Sequence, residues 1–75
     1  MTATSLDTSG LKCPLPVLKT KKAMKDLAPG GQIIVIATDP SAVKDFQAFC
    51  AATGDRLLES RQANGVFTFV IEKRQ

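Results

Sequence analysis

The chain contains no histidine, tryptophan or tyrosine, and four phenylalanines are its only aromatic residues. Histidine is the commonest general base at neutral pH, so its absence excludes a Cys–His or Ser–His catalytic pair within this chain. Cysteine is scarce as well. The chain has two, Cys13 and Cys50, which are far apart in sequence and form no CxxC pair. Two cysteines without histidine make a poor zinc site. The sequence therefore predicts no metal site and no bound cofactor.

Long apolar runs are also lacking, so the sequence predicts no transmembrane segment and no membrane partner. The first ten residues, MTATSLDTSG, contain neither a basic segment nor an apolar core. They therefore do not resemble a secretory signal peptide. We expect a cytoplasmic protein whose thiols stay reduced.

The length of 75 residues predicts one domain, residues 1–75, with residues 1–4 frayed. A chain of this size hides only about 60% of its unfolded surface on folding, which allows a two-layer core but no enclosed cavity for a large cofactor. The composition, 44% hydrophobic and 23% charged residues, is typical of globular proteins. The net charge of +3 permits an acidic protein surface or RNA as a partner but requires neither.

The order of hydrophobic patterns and turn residues predicts six elements. Asp39 is a good N-cap with Pro40 at the first helical position of the second helix, and Asn64–Gly65 is typical of a tight hairpin turn. The predicted elements are a strand at 5–8, a helix at 13–27, a strand at 32–38, a helix at 40–53, and strands at 56–62 and 66–73.

Each predicted helix has one apolar stripe at spacings of three and four residues. The stripes comprise Val17, Thr20, Met24 and Leu27 in the first helix, and Val43, Phe46, Cys50 and Thr53 in the second. Right-handed crossovers place both helices on the same face of one sheet. The predicted fold is a two-layer α/β (α+β) sandwich, β-α-β-α-β-β, with a four-stranded mixed sheet and two helices on one face.

The segment GLKCPLPVLK, residues 10–19, places a cysteine at or next to the N-cap of the first helix. The helix dipole and the charge of Lys12 favour a thiolate there, so we expect the pKa of Cys13 to fall below the free value of about 8.5. Pro14 and Pro16 lack N–H groups. The expected activation is therefore limited to what the amides of Leu15 and Val17 provide.

The same segment predicts a rigid support for an exposed thiol. The two prolines fix φ on either side of Leu15, and Gly10 allows a sharp approach from the first strand. Two interpretations of Cys13 remain open on these grounds: a reactive group at a strand–helix junction, or a small buried hydrophobe. For Cys50, beside Phe46 on the apolar stripe, we expect a core position.

Cys13, Pro14, Leu15 and Pro16 match a Cys-Pro-x-Pro signature at the start of the first helix. With this motif, the chain resembles the TusA family of small sulfur-carrier proteins, also called SirA-like. The segments LDTSGLKCPLPVLK and ATDPSAVKDFQAFC are similar to the opening stretch and the second strand–helix unit of that family. The resemblance covers residues 5–73 and implies the same β-α-β-α-β-β fold.

The resemblance implies a sulfurtransferase that acts as a carrier within a relay. Cys13 would accept a sulfane sulfur as a persulfide from a cysteine desulfurase or rhodanese-type donor, and would pass it to an acceptor protein. Pro14 and Pro16, with Gly10, would support the motif. Known pathways of the family are tRNA 2-thiolation, molybdenum-cofactor maturation and sulfur oxidation. Members that serve tRNA thiolation tend to have an acidic residue where this chain has Leu15, so the pathway stays open.

Five lysines and no acidic residue lie between positions 12 and 25. They form either a solvated helix face or a positive rim beside Cys13 that docks acidic partner surfaces. The candidate docking residues of that rim are Lys12, Lys19 and Lys22. Two rival functions remain: a monothiol redox or regulatory protein that forms mixed disulfides on Cys13, and a small basic RNA-binding module. The sequence has few aromatic residues on which bases could stack, so we expect no direct nucleic-acid contact.

Overall fold

The computed structural model describes residues 4–74. Its elements follow the predicted order, β-α-β-α-β-β. They are β1 (Thr4–Thr8), α1 (Leu15–Met24), β2 (Gln32–Ala37), α2 (Ala42–Thr53), β3 (Arg56–Ala63) and β4 (Val66–Glu72). Residues 1–3 of the segment predicted to be frayed lie outside the described residues, and Thr4 already belongs to β1.

The four strands form one mixed sheet in the order β1-β2-β4-β3. β1 and β2 are parallel, whereas β4 is antiparallel to both β2 and β3. The hairpin between β3 and β4 turns at Asn64 and Gly65, with φ of 52° and 77°. Two positive φ angles are what a type I′ turn requires, so the predicted hairpin is confirmed.

The core lies between the helices and one face of the sheet. Alternate residues of β2 and β4, among them Val35 and Phe69, are fully buried there. Phe46 of α2 packs on Phe69 with ring centroids 4.6 Å apart. Ile34 and Ile36, on the opposite face of β2, are only half-buried because no second layer covers them. The predicted two-layer sandwich is confirmed.

Both helices are shorter than predicted. α1 begins at Leu15 and ends at Met24 instead of Leu27. After Met24 the N–H groups of Lys25, Asp26 and Leu27 bond to carbonyl oxygens three residues earlier. The Nζ of Lys73 caps this end by donating to the Met24 and Leu27 carbonyl oxygens at 2.9 and 2.7 Å. These bonds take carbonyl groups at the end of the helix, and the chain leaves it through a turn.

The start of α2 also differs from the prediction, because the helix begins at Ala42 with Ser41 as its N-cap. Asp39 lies in the preceding turn, where its Oδ1 accepts the Ser41 N–H at 3.0 Å. The helix ends at Gly54, whose φ of 84° is left-handed, and its N–H donates to the Cys50 carbonyl oxygen at 2.9 Å. A glycine in this conformation is a common C-terminal cap.

Candidate functional site

The site is the loop that joins β1 to α1, residues 9–14, which we call the cysteine loop. It leaves β1 after Thr8 and turns at Gly10, which has a φ of 79°. Cys13 lies in this loop with its side chain exposed. Because β1 and β2 are parallel neighbours, the cysteine loop lies beside the segment that follows β2, at the carboxyl ends of both strands.

Besides the backbone ladder between β1 and β2, three hydrogen bonds that involve side chains attach β1 and the cysteine loop to β2 and the segment after it. The Thr8 hydroxyl donates to the Ile36 carbonyl oxygen at 2.6 Å. The Gly10 N–H donates to Thr38 Oγ1 at 2.8 Å, and the Cys13 N–H donates to Asp39 Oδ2 at 2.6 Å. The sequence indicated Asp39 only as a helix cap, and it did not indicate Thr38 at all. Contacts so far apart along the chain have no local sequence signal.

The N-terminus of α1 offers few donors to the sulfur. Pro14 is the N-cap, after a cis Cys13–Pro14 peptide bond, and its carbonyl oxygen accepts the Leu18 N–H at 3.1 Å. The Leu15 amide, which we expected to remain available, donates to the Lys12 carbonyl oxygen at 2.9 Å. Pro16 is buried at the second helical position. Two prolines and one engaged amide therefore weaken the anion site that a helix N-terminus normally provides.

The electrostatic environment of Cys13 contradicts the predicted activation. The pKa of the thiol is raised above its ordinary value, chiefly because the Asp45 carboxylate acts as a hydrogen-bond acceptor for the protonated thiol. Partial desolvation and the negative charges of Asp45 and Asp39 add to this rise in pKa. The prediction considered the helix dipole and Lys12. Two carboxylates brought in by the turn before α2 and the first turn of that helix outweigh both.

Asp39 is held in its ionised form by the groups around it. Its carboxyl pKa is lowered, first by the hydrogen bond from the Cys13 N–H and then by the N–H of Ser41. The Ser41 hydroxyl and the charge of Lys12 lower it further. The charge of Lys12 therefore stabilises the Asp39 carboxylate. That carboxylate lies near the Cys13 thiol, and its negative charge opposes ionisation of the thiol.

Cys50 lies in the core, as predicted. Its side chain is 6% exposed. Burial, followed by the charge of Asp55, raises the pKa of its thiol to about 11. A buried, protonated thiol is a poor nucleophile, so Cys13 is the cysteine that can react with another protein.

The predicted docking lysines, Lys12, Lys19 and Lys22, are all exposed. Within residues 4–74 the two ion pairs lie on the β3–β4 hairpin, so no lysine of the α1 region is paired. Leu15 and Leu18, at 44% and 53% exposure, add an apolar surface on α1 next to Cys13. The sequence did not predict that surface, although both leucines fall off the predicted core stripe.

A shallow cleft borders the cysteine loop and is lined by Gly10, Leu11, Lys12, Thr38, Asp39 and Pro40. In the part of the chain that the structure describes, no three histidine, cysteine, aspartate or glutamate side chains come together to hold a metal ion. No helix between residues 4 and 74 has the length and apolar character needed to cross a bilayer. The structure places the Asp45 and Asp39 carboxylates beside the Cys13 thiol.

Comparisons with known proteins point to one family. The family model described as sulfurtransferase TusA matches residues 4–73. The sulfur carrier protein TusA of Allochromatium vinosum is 52% identical over 68 residues, which cover 91% of this chain and 90% of that protein. The protein of the same name from Pseudomonas aeruginosa is 44% identical over 69 residues, covering 92% and 87% of the two chains.

A solved structure shows a similar fold. The crystal structure of the SirA-like protein from Desulfitobacterium hafniense superposes with a TM-score of 0.83. It is 27% identical in sequence, and the match covers 96% of this chain and 99% of the other. The similarity therefore extends over the whole sandwich, including the strands and helices that position the cysteine loop.

Proposed function

Because the chain belongs to the TusA family and is a sulfur carrier, we propose that it is a sulfurtransferase that carries the sulfur on Cys13 as a persulfide. The observation that carries the proposal is the contrast between the two cysteines: Cys13 is exposed at the N-terminus of α1, whereas Cys50 is buried. The chain, acting as one domain, needs no metal or cofactor for this reaction.

The proposed reaction is a thiolate exchange that needs no external oxidant. The Cys13 thiolate attacks the outer sulfur of a persulfide on the donor protein. The donor sulfur–sulfur bond breaks, the donor cysteine leaves as a thiolate, and a new sulfur–sulfur bond forms on Cys13. An acceptor then removes that outer sulfur in the same way and regenerates Cys13.

The partners supply part of the chemistry. With its pKa raised by Asp45, the free Cys13 thiol is mostly protonated at neutral pH. A cation of the donor protein that approaches Asp45 would cancel this effect and release the thiolate where the donor persulfide lies. We expect a cysteine desulfurase or rhodanese-type donor in the cytoplasm. The pathway is not assigned, because Leu15 replaces the acidic residue of tRNA-thiolation members.

The surface next to Cys13 supports docking to proteins. Unpaired, exposed Lys12, Lys19 and Lys22 surround the apolar Leu15 and Leu18 on α1 and the loop before it. Charge attraction of this kind speeds encounter with an acidic surface. A double variant in which Lys19 and Lys22 are both replaced by glutamate should transfer sulfur more slowly than the wild type at low salt. The control variant Arg61→Glu, on β3, should transfer sulfur at the wild-type rate. Equal rates in all three proteins would remove the docking role.

The main test is the intact mass after incubation with a cysteine desulfurase and cysteine, repeated with a rhodanese and thiosulfate. The wild-type mass should rise by about one sulfur, and a reductant should reverse the rise. Cys13→Ser should show no gain, and Cys50→Ala should load as the wild type does. Failure of both donors to load the wild type would contradict the proposal. A gain equal to a whole small thiol would indicate a redox protein that forms mixed disulfides.

A further inference from the structure

We propose that Asp39 is the positioning residue of the sulfur-transfer site, since its carboxylate ties the backbone of Cys13 to the segment that starts α2. Oδ2 accepts the Cys13 N–H at 2.6 Å, and Oδ1 accepts the Ser41 N–H at 3.0 Å. One side chain thus joins two segments that are distant in sequence. The inference rests on the proposed function of Cys13.

A carboxylate suits this position for a specific reason. Each of its two oxygens takes one backbone N–H, and neither N–H has to share an acceptor. An asparagine of the same shape would keep one oxygen and place an amide N–H₂ group against the other donor. A serine would be long enough to cap Ser41 but too short to reach Cys13. Serine therefore separates the contact with Cys13 from the contact with α2, whereas asparagine removes the charge and leaves one acceptor oxygen for two N–H groups.

The contact with Cys13 lies where the chain passes from the cysteine loop into α1. Upstream, the Gly10 N–H is held by Thr38, and downstream Pro14 has no N–H to donate. The bond from the Leu15 N–H to the Lys12 carbonyl oxygen closes a local turn around Cys13, and the Asp39 bond is the long-range attachment made by Cys13 itself. Since the sulfur is two bonds from that backbone, fixing the N–H restricts where the sulfur can point. Transfer to a donor persulfide depends on such alignment.

The charge and the hydrogen bond of Asp39 have opposite effects on the reaction, which makes them separable. Its negative charge, together with that of Asp45, disfavours the Cys13 thiolate. The nearby charge of Lys12 helps to keep Asp39 ionised. Loss of the charge therefore favours ionisation of the thiol. Loss of the hydrogen bond misplaces the same thiol for an approaching donor protein.

The experiment measures two rates in Asp39→Asn and Asp39→Ser: alkylation by iodoacetamide and sulfur loading by a donor. Alkylation by a small reagent needs only a thiolate, so it should become faster. Loading needs the thiol in place and should fall about tenfold, within the range that small misplacements cause. If both rates rise together, Asp39 acts only through its charge and the positioning role is overturned. Loading at the wild-type rate in both variants also overturns it.

A direct structural readout is the exchange protection of the Cys13 backbone amide, followed by NMR. Protection should be present in the wild type, reduced in Asp39→Asn, which has one acceptor oxygen for two N–H groups, and lost in Asp39→Ser. Asp26→Asn is the matched control, because Asp26 is an exposed aspartate just beyond the C-terminal end of α1, at the opposite end of that helix from Cys13. The Cys13 amide and the loading rate should not change in that control. Retained protection in the Asp39 variants would contradict the inference.

The two proposals can fail separately. If no donor loads the wild type, the proposed function is wrong, while the amide and alkylation measurements still decide the role of Asp39. Thermal unfolding identifies any variant that does not fold. In that event the remaining substitution at Asp39 decides the outcome, since serine still offers an acceptor to the N–H of Ser41 and asparagine still has one acceptor oxygen.

Discussion

The thiol pKa is raised at both cysteines of this chain, but the causes differ. At Cys13 the main cause is the neighbouring Asp45 carboxylate, while the thiol itself is exposed. At Cys50 the main cause is burial in the core. The first effect disappears when a partner cation neutralises the carboxylate, whereas the second persists until the protein opens.

This difference suits a sulfur carrier. A thiol that is always ionised would react with any electrophile in the cell. One that is restrained by a surface carboxylate becomes reactive only where a partner changes the local charge. Under the proposed function, the carboxylates after β2 would make Cys13 selective, while burial in the sandwich core would keep Cys50 out of the reaction.

The largest expected effect is in alkylation rates. In the folded protein at pH 8, iodoacetamide should modify Cys13 at least about a hundredfold faster than Cys50, because Cys50 is both buried and protonated. Peptide mapping by mass spectrometry over time gives the two rates. In denaturant the rates should become similar, and comparable rates in the native protein would remove the contrast.

The free energy of unfolding should be more sensitive to substitution at Cys50 than at Cys13, the reverse of the order expected for alkylation. Cys50→Ser places a hydroxyl in the core and should reduce the free energy of unfolding by about 1–3 kcal/mol. Cys13→Ser changes an exposed side chain and should leave that free energy unchanged. Urea unfolding followed by circular dichroism measures both variants. A larger loss in the Cys13 variant would show that the cysteine loop supports the core.

A smaller effect is expected when the restraint on Cys13 is removed. Asp45→Asn eliminates the charge that most raises the thiol pKa. The pH profile of Cys13 alkylation should move to lower pH, with a several-fold faster rate at neutral pH. Asp26→Asn, beyond the far end of α1, is the control and should leave the profile in place. An unmoved profile in Asp45→Asn would contradict the assigned cause.

The buried cysteine should limit stability at alkaline pH. Its folded-state pKa of about 11 lies above the ordinary value of 9.0, so the unfolded chain loses its proton first. The contribution to stability is complete below about pH 9 and is lost as the pH rises towards 11. Urea titrations across this range should show the decline in the wild type. In Cys50→Ala the part of this decline that comes from the thiol should be absent. If the free energy of unfolding falls with pH equally steeply in both proteins, Cys50 is not the cause.

The smallest expected effect concerns the cysteine loop in acid. The carboxyl pKa values of Asp7 and Asp39 are lowered in the folded protein. The stabilisation they give is therefore present above the ordinary value of 3.8 and is lost as the pH falls through the lowered values. Exchange protection should weaken at the Cys13 amide first, while the Cys50 amide stays protected. Simultaneous loss at both amides would indicate global unfolding instead.

Much of the architecture was predictable because its signals are local. The Asn64–Gly65 turn, the Gly54 cap and the alternation of Phe67 and Phe69 each depend on neighbours within a few residues. Helix ends were less predictable. Lys73 caps the C-terminal end of α1 from the far end of the chain, and no rule based on neighbouring residues includes such a contact.

The sequence alone determined the order of elements, the place of Cys13 at the strand–helix junction and the burial of Cys50. The tertiary structure decided the electrostatics of the site. Parallel pairing of β1 with β2 brings Asp39 to the Cys13 backbone, and α2 brings Asp45 to its thiol. The dipole of α1 and the charge of Lys12 are visible in the local sequence. The carboxylates that outweigh them become neighbours only after folding, so the direction of the Cys13 pKa shift depends on the fold.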